Sequence, residues 1–248
     1  MRTQPSRARN DLGQYDDLAG EWWRPGGAFA MLHWLAEARG RLVPPAARPG
    51  AVLLDLGCGA GLLAPHVAGK GYRHVGVDLV GSALEQAAAH GVEAVRADVT
   101  RLPVADASVD VVSAGEVLEH VRDWRPAVRE ACRVLRPGGV LVLDTLADTL
   151  LCRIVAVHLA ERVPAAPRGI HDPELFVDPA ELVRECARNG VTLRTRGIRP
   201  QVWPMLRWAL AGRVGRVGER GPVSMVPTFS RAVLYQGRGV KEGAMCVS

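Results

Sequence analysis

Short apolar runs alternate with helically spaced apolar positions through the middle of the chain. Val52-Leu53-Leu54-Asp55-Leu56 is a compact apolar run bounded by glycines, the pattern of a strand buried on both faces of a parallel sheet. Leu62 to Lys70 then reads as a helix closed by Gly71. The pair recurs, with a strand at His74–Asp78 and a helix from Ser82 to His90 followed by Gly91. Further strands are predicted at Glu93–Ala97, Val109–Ala114 and Val140–Asp144. A helix over Arg125–Leu135 and a turn at Gly138-Gly139 separate the last two. Pro179 to Asn189 predicts another helix, ended by Gly190, and Val191–Arg196 another strand. Upstream, Phe29, Leu32, Leu35 and Leu42 give residues 15–43 a helical character that Pro44, Pro45 and Pro49 break. Strands alternating with helices predict a doubly wound α/β fold around a mostly parallel sheet.

Two regions depart from this rhythm. Residues 147–170 insert an apolar segment, Leu150 to Leu159, punctuated by Arg153 and His158. Beyond residue 197 the periodicity weakens. Residues 1–14 are polar and are expected to be disordered, leaving 15–248 as a single domain. The 248 residues, 48% hydrophobic and 23% charged, have ordinary globular composition, which excludes collagen, coiled coil and wholesale disorder. No apolar run reaches the roughly 18 residues of a spanning helix, and the first residues lack the apolar core of a secretory signal. Cys58, Cys132, Cys152, Cys186 and Cys246 are scattered without a CxxC pair, so a zinc ribbon or disulfide framework is not expected, and a reducing cytoplasm fits.

The net charge of +5 is uneven: residues 194–241 carry nine Arg and Lys241 against Glu219 alone. Such a stretch suits nucleic acid, an anionic membrane or an acidic partner, or is simply a solvated Arg-rich face. With only Lys70 and Lys241 beside 29 Arg, a compositional bias toward Arg explains part of it, and no nucleic-acid partner is expected.

The strongest local signal is Asp55-Leu56-Gly57-Cys58-Gly59-Ala60-Gly61, joining the first strand to the first helix. Small residues let the backbone turn sharply and approach a ligand. Asp78 ends the second strand, where a carboxylate can accept from both ribose hydroxyls. Asp98 follows the third, where it can accept from an adenine amino group, and Asp55 can face a cationic amine. The loop lacks the spacing of GxGxxG, which disfavours a nicotinamide dinucleotide. These stations resemble the motifs of class I S-adenosylmethionine-dependent methyltransferases.

Gly115-Glu116-Val117-Leu118-Glu119-His120 ends the fourth strand. On a helical turn the three- and four-residue spacing sets Glu116, Glu119 and His120 on one side. Two carboxylates and an imidazole can hold a divalent cation, His120 can serve as a general base, or the residues can merely cap a helix and line a pocket. The wider pattern is narrower in meaning. Trp22-Trp23, Leu32-His33 with Arg39, the Glu-Val-Leu-Glu-His-Val string, Arg136-Pro137-Gly138-Gly139 and Gly169-Ile170-His171-Asp172 with Phe176 resemble the 3-demethylubiquinol 3-O-methyltransferase family over residues 15–196.

That resemblance implies a Rossmann-like, seven-stranded methyltransferase fold with an N-terminal helical segment. The implied reaction is methyl transfer from S-adenosylmethionine to a phenolic, catechol or quinol hydroxyl. Cofactor contacts are implied at Arg39, Asp55, Gly57, Cys58, Gly59, Gly61, Asp78, Leu79, Asp98, Val99 and Gly115. Glu116, Glu119 and His120 are implied as catalytic residues and as ligands of a divalent cation, magnesium or zinc. The 147–170 insertion is implied as a lid or membrane-associating element, which would place a cytoplasmic protein at the inner face of the plasma membrane. The basic 197–241 region would border the acceptor, with Trp203 and Trp208 as a second interfacial contact. It departs from the family, since Gly197-Ile198-Arg199-Pro200 stands where Tyr-Asn-Pro is expected. A C- or N-methyltransferase of another metabolite and a non-catalytic cofactor-binding module are the alternatives.

Overall fold

A computed structural model describes residues 9–24, 26–159, 169–213 and 221–243. After a short helix α1 (Gly13–Asp17) and helix α2 (Ala30–Gly40), the chain enters β1 (Val52–Leu56). There follow α3 (Ala64–Val67), β2 (Arg73–Asp78), α4 (Gly81–Ala89), β3 (Glu93–Arg96), β4 (Val109–Gly115), α5 (Trp124–Val134) and β5 (Leu135–Leu146). The order then runs α6 (Leu150–Cys152), α7 (Pro179–Arg188), β6 (Val191–Pro200), α8 (Val202–Arg213), β7 (Met225–Thr228) and β8 (Leu234–Lys241). One eight-stranded sheet has the order β3-β2-β1-β4-β5-β8-β6-β7. The strands from β3 to β5 pair in parallel. β8, β6 and β7 complete the sheet with antiparallel pairings. The strand order reverses at β1, and both β1 and β4 aim their carboxyl ends at the crevice where open α/β sheets bind ligands.

The apolar runs become strands because both faces are covered. Leu53, Leu54 and Leu56 of β1 and Leu141, Val142 and Leu143 of β5 are almost completely buried. α5 is amphipathic: Ala127, Val128, Ala131 and Cys132 pack inward, while Asp123 accepts from the Arg125 N–H at its start. Each fully buried Leu or Val contributes on the order of 1.5–3 kcal/mol.

Four expectations need correction. The sheet has eight strands rather than seven: β7 is a four-residue edge strand containing Pro227, in the stretch where the periodicity fades. The Arg136–Gly139 segment is a bulge within β5, because the register jumps from Val109–Leu135 to Val111–Val140. The helix expected from Leu62 is shorter, and Gly71 ends its 3₁₀ continuation in the left-handed region. The tail expected to be disordered falls partly on residues 1–8, outside the described ones, but Asn10 to Gln14 are built into the fold. There the Asn10 side chain donates to the His120 carbonyl, and Gln14 to that of Gly169. Of the expected lid, α6 continues as a π-helical turn, Arg153–Leu159. Residues 160–168 lie outside the described residues.

Candidate active site

The glycine loop is held by β2. The Cys58 N–H donates to the Val77 carbonyl at 3.0 Å, and the Gly59 N–H to Asp78 Oδ2 at 2.8 Å. Asp78 Oδ1 accepts from the Val80 N–H at 2.9 Å, so one carboxylate ties the loop to the start of α4. Gly57 and Gly59 have φ of +63° and +51°, which favour glycine. Space demands the same: a Cβ on Gly57 would stand 2.4 Å from Val117, and one on Gly59 2.8 Å from the Trp22 ring. Gly76 in β2 lets the loop sit close, since a Cβ there would meet Cys58 Sγ at 2.7 Å. Asp98 Oδ1 accepts from both the N–H and the hydroxyl of Thr100 at 2.8 Å.

Beneath the loop lies a buried ion pair. Arg39 Nη1 donates to both carboxylate oxygens of Asp144, at 2.7 and 2.9 Å. Asp144 is fully buried and Arg39 nearly so. Gly115 makes this possible, because a Cβ there would lie 1.8 Å from Arg39 Nη1. Asp55 is also buried, 3.6 Å from His74 Nε2.

The third group sits at the end of β4. Glu116 has φ of +49°, a costly conformation for a side-chain-bearing residue, and its N–H donates to the Asp144 carbonyl. Glu119 is fully buried, its Oε2 accepting from the Thr145 hydroxyl at 2.7 Å. Burial and then the Glu119 charge hold the Glu116 carboxyl well above the usual range, while burial raises Glu119. Each leaves Oε1 buried without a protein donor.

His120 turns a different way. Its Nδ1 lies 2.6 Å from Asn10 Oδ1 and its Nε2 3.3 Å from the Tyr15 hydroxyl. Burial, and secondarily His171 stacked 5.6 Å away, pushes its pKa down to about 3, so the ring is neutral. Burial and the nearby Glu119, Asp78 and Glu116 raise the Tyr15 pKa, so its hydroxyl stays protonated. Tyr15 stacks on Trp22, and Trp22 on Phe29 with centroids 4.1 Å apart. This aromatic roof closes over the glycine loop. A cavity of about 950 Å³ touches the loop, Asp78, Leu79, Asp98, Val99, Arg39, Gly115, Glu116 and His120. It continues into an apolar arm between Trp34, Ala156, Met205, Trp208 and Met225.

The expected metal set does not assemble. Glu116 and Glu119 present unpartnered oxygens, but His120 is engaged by Asn10 and Tyr15, and Thr145 holds Glu119. Among the described residues, no group of three or more His, Cys, Asp or Glu side chains is placed to hold a metal ion. The helical turn assumed from spacing fails because Glu116 is left-handed and precedes the 3₁₀ turn Leu118–His120.

Residues 54–143 match the model of a methyltransferase domain. The chain is 34% identical over 203 residues to the ubiquinone biosynthesis O-methyltransferase of Cupriavidus pinatubonensis, covering 77% of this chain and 80% of that protein. It is 33% identical over 236 residues to the Methylobacterium nodulans protein of the same name, covering 86% and 94%. The chain belongs to the ubiquinone biosynthesis O-methyltransferase family. It is a class I S-adenosylmethionine-dependent methyltransferase. Its fold also matches a crystal structure of an S-adenosylmethionine-dependent methyltransferase from Thermotoga maritima, a possible histamine N-methyltransferase. There the TM-score is 0.64 at 17% identity, covering 94% of this chain and all of that one.

In this member of the ubiquinone biosynthesis O-methyltransferase family, the residues expected around the cofactor gather at one end of the sheet. Arg39, Gly57, Cys58, Gly59, Asp78, Leu79, Asp98, Val99 and Gly115 all border the cavity. Asp55 and Gly61 do not: Asp55 lies beneath, and Gly61 packs against Ala87 and Val92. Asn10, Tyr15 and Asp144 were missed. Asp144 carried a readable signal, an acid at the end of a predicted strand, as Asp78 does. The other two fall in or beside a polar stretch without periodicity. Asp78→Ala should weaken S-adenosylmethionine binding roughly 10- to 100-fold (~1.5–3 kcal/mol), since it removes an acceptor and unties the loop. Titration calorimetry checks this, and unchanged affinity in a folded variant would remove Asp78 from the pocket.

Proposed function

We propose that this methyltransferase O-methylates a phenolic or quinol hydroxyl bearing an apolar tail, with His120 as the general base. The observation that carries the reading is His120 Nε2 facing a hydroxyl, that of Tyr15, inside a cavity continuous with the cofactor loop. An acceptor hydroxyl replacing Tyr15 would give its proton to Nε2 as its oxygen attacks the methyl carbon. The new O–C bond forms as the C–S bond breaks, and that electron pair returns to sulfur. S-adenosylmethionine supplies the electrophilic methyl group. The positive charge leaves the sulfonium as it arrives on His120, so the net charge of the buried pocket stays constant. The chain's own contribution is approach geometry, water exclusion and proton acceptance.

The relatives' name supports a ubiquinone precursor as the acceptor class. The apolar arm supports a hydrophobic tail, each buried methylene adding roughly 0.8 kcal/mol. Product mass from a panel of phenol, catechol, amine and carbon-acid acceptors tests the reaction. O-methyl products are expected, with KM falling as an alkyl tail lengthens. Methylated amine or carbon products would establish the alternative reaction, and cofactor binding without any product would indicate a binding module.

Peripheral membrane contact is part of the same proposal. Leu150, Leu151 and Ile154 are exposed beside the arm, and so is Trp203, with 77% of its surface accessible. No described helix is long and apolar enough to cross a membrane. Anionic liposomes should therefore retain the protein, with partial release by salt. Failure to cosediment at low ionic strength would overturn that contact.

A further inference from the structure

The segment before α2 docks at three points on one ridge of α4. Ser82, Gln86 and His90 stand four residues apart, so they share a face of that helix and its C-cap. The Ser82 hydroxyl donates to Asp16 Oδ1 at 2.6 Å, and Gln86 Nε2 donates to the Ala19 carbonyl at 2.8 Å. The His90 ring stacks on the Trp23 indole with centroids 3.7 Å apart. Its Nδ1–H donates to the Gln86 carbonyl at 2.8 Å, which holds the ring in place. Trp23 Nε1–H adds a bond to the Ala60 carbonyl at 3.1 Å, in the glycine loop. Residues 15–23 thus run along α4 as a strap. Its inner side is aromatic: Tyr15 and Trp22 line the cavity, and Trp22 is buried with its ring against Gly59. Gly26, at φ +67°, and Gly27 join the strap to α2.

We infer that residues 15–23 form a gate over the cofactor, latched on the Ser82–Gln86–His90 ridge of α4 and hinged at Gly26-Gly27. A ligand that reaches Gly57, Gly59 and Asp78 lies beneath Tyr15 and Trp22, so the roof has to lift for a molecule of that size to pass. The latch suits repeated opening. Asp16 and His90 are exposed, and Ser82, Gln86 and Trp23 are half-buried, so water replaces each lost partner as the strap lifts. Two small residues absorb the change of backbone angle that a hinge needs. The helix that holds the strap also starts at the cofactor site, because Asp78 Oδ1 accepts from the Val80 N–H just before α4. Closure of the strap and occupancy of the loop are therefore felt by one rigid element. The gate serves the cofactor whichever group takes the acceptor's proton.

Stopped-flow binding of S-adenosylmethionine to the full chain, followed by tryptophan fluorescence, tests the gate. Gln86→Ala removes one latch point and should raise both the association and the dissociation rate constant about 10-fold, the worth of one hydrogen bond. Trp23→Ala removes the stack on His90 and the bond to Ala60, and should raise both at least as much. Opening precedes entry and exit alike, so Kd should stay within about threefold. Trp23→Phe keeps a ring for His90 and loses only the bond to Ala60, so its rates should fall between those of Trp23→Ala and wild type. Amide hydrogen exchange over residues 15–23 should quicken in Gln86→Ala while that of β1 and β2 holds, which also shows that the variant is folded. Unchanged rates in Gln86→Ala and Trp23→Ala would mean that the cofactor enters through the apolar arm, and would overturn the gate. A rise in dissociation alone, with Kd rising in step, would make the strap a fixed wall of the site and overturn it as well.

Discussion

His120→Ala is expected to lower kcat by about 10²-fold, the low end for a positioned general base because burial weakens its basicity, while S-adenosylmethionine still binds. Stopped-time assays with calorimetry on the same sample separate the two effects. A second arm uses exhaustive chelation of the wild-type protein, after which the rate should hold. A rate lost on chelation and restored by magnesium or zinc would mean that His120 leaves Asn10 and Tyr15 for a metal, and would overturn the base assignment. The pH dependence gives an independent check. With its pKa near 3 in the folded protein against about 6.5 when exposed, His120 is already neutral throughout the mildly acidic range. The kcat/KM profile should show no acid limb from His120 near pH 6.5. Folding linkage has the matching sign. A lowered histidine pKa contributes stability that is fully present above about pH 6.5 and is lost as the pH falls toward 3, because only the unfolded chain takes up the proton.

The second large effect concerns stability. Arg39→Met should destabilise the protein by about 3–5 kcal/mol, because Asp144 is left buried without its cation. For a chain of 248 residues that lowers Tm by roughly 6–20 °C. Adding Asp144→Leu should recover much of the loss, since replacing both members of a buried pair by apolar groups is often close to neutral. Calorimetric melts of the three variants decide it. A single variant as stable as wild type would show that the pair does not hold the sheet end together.

The sequence was legible where one physical rule dominated. Buried parallel strands leave apolar runs, and helices end in glycine, so β1 to β4, α4 and α5 lie within a few residues of their expected places, while β5 starts five residues before the expected Val140 and α3 is shorter. Gly57, Gly59 and Asp78 were readable because a tight turn and a strand-end acid have few other uses. What could not be read depended on tertiary contact. The spacing of Glu116, Glu119 and His120 suggested a common face, and the two carboxyls do lie together, but the His120 ring is engaged by Asn10 and Tyr15 instead. Asn10 and Tyr15 act across 110 and 105 residues of sequence. Nothing in a polar, aperiodic stretch announces such a partner. Gly115 bordered the cofactor as expected, but its fit to the Arg39 guanidinium depends on a side chain 76 positions upstream.

The strand order also carries a timetable. Among the described residues, β6 and β7 hydrogen-bond to the rest of the sheet only through β8, which the ribosome makes after both of them. The cofactor half, β1 to β5, is complete in sequence by Leu146, and its strands can pair as they emerge. The wall of the apolar arm built on β6, α8 and β7 has to wait for residues 234–241 before it can dock. A nascent chain stalled before that point would expose α8 and the inner faces of two strands, with an unpaired β5 edge open to aggregation. The wall of the apolar arm is therefore the last part of the cavity to be completed.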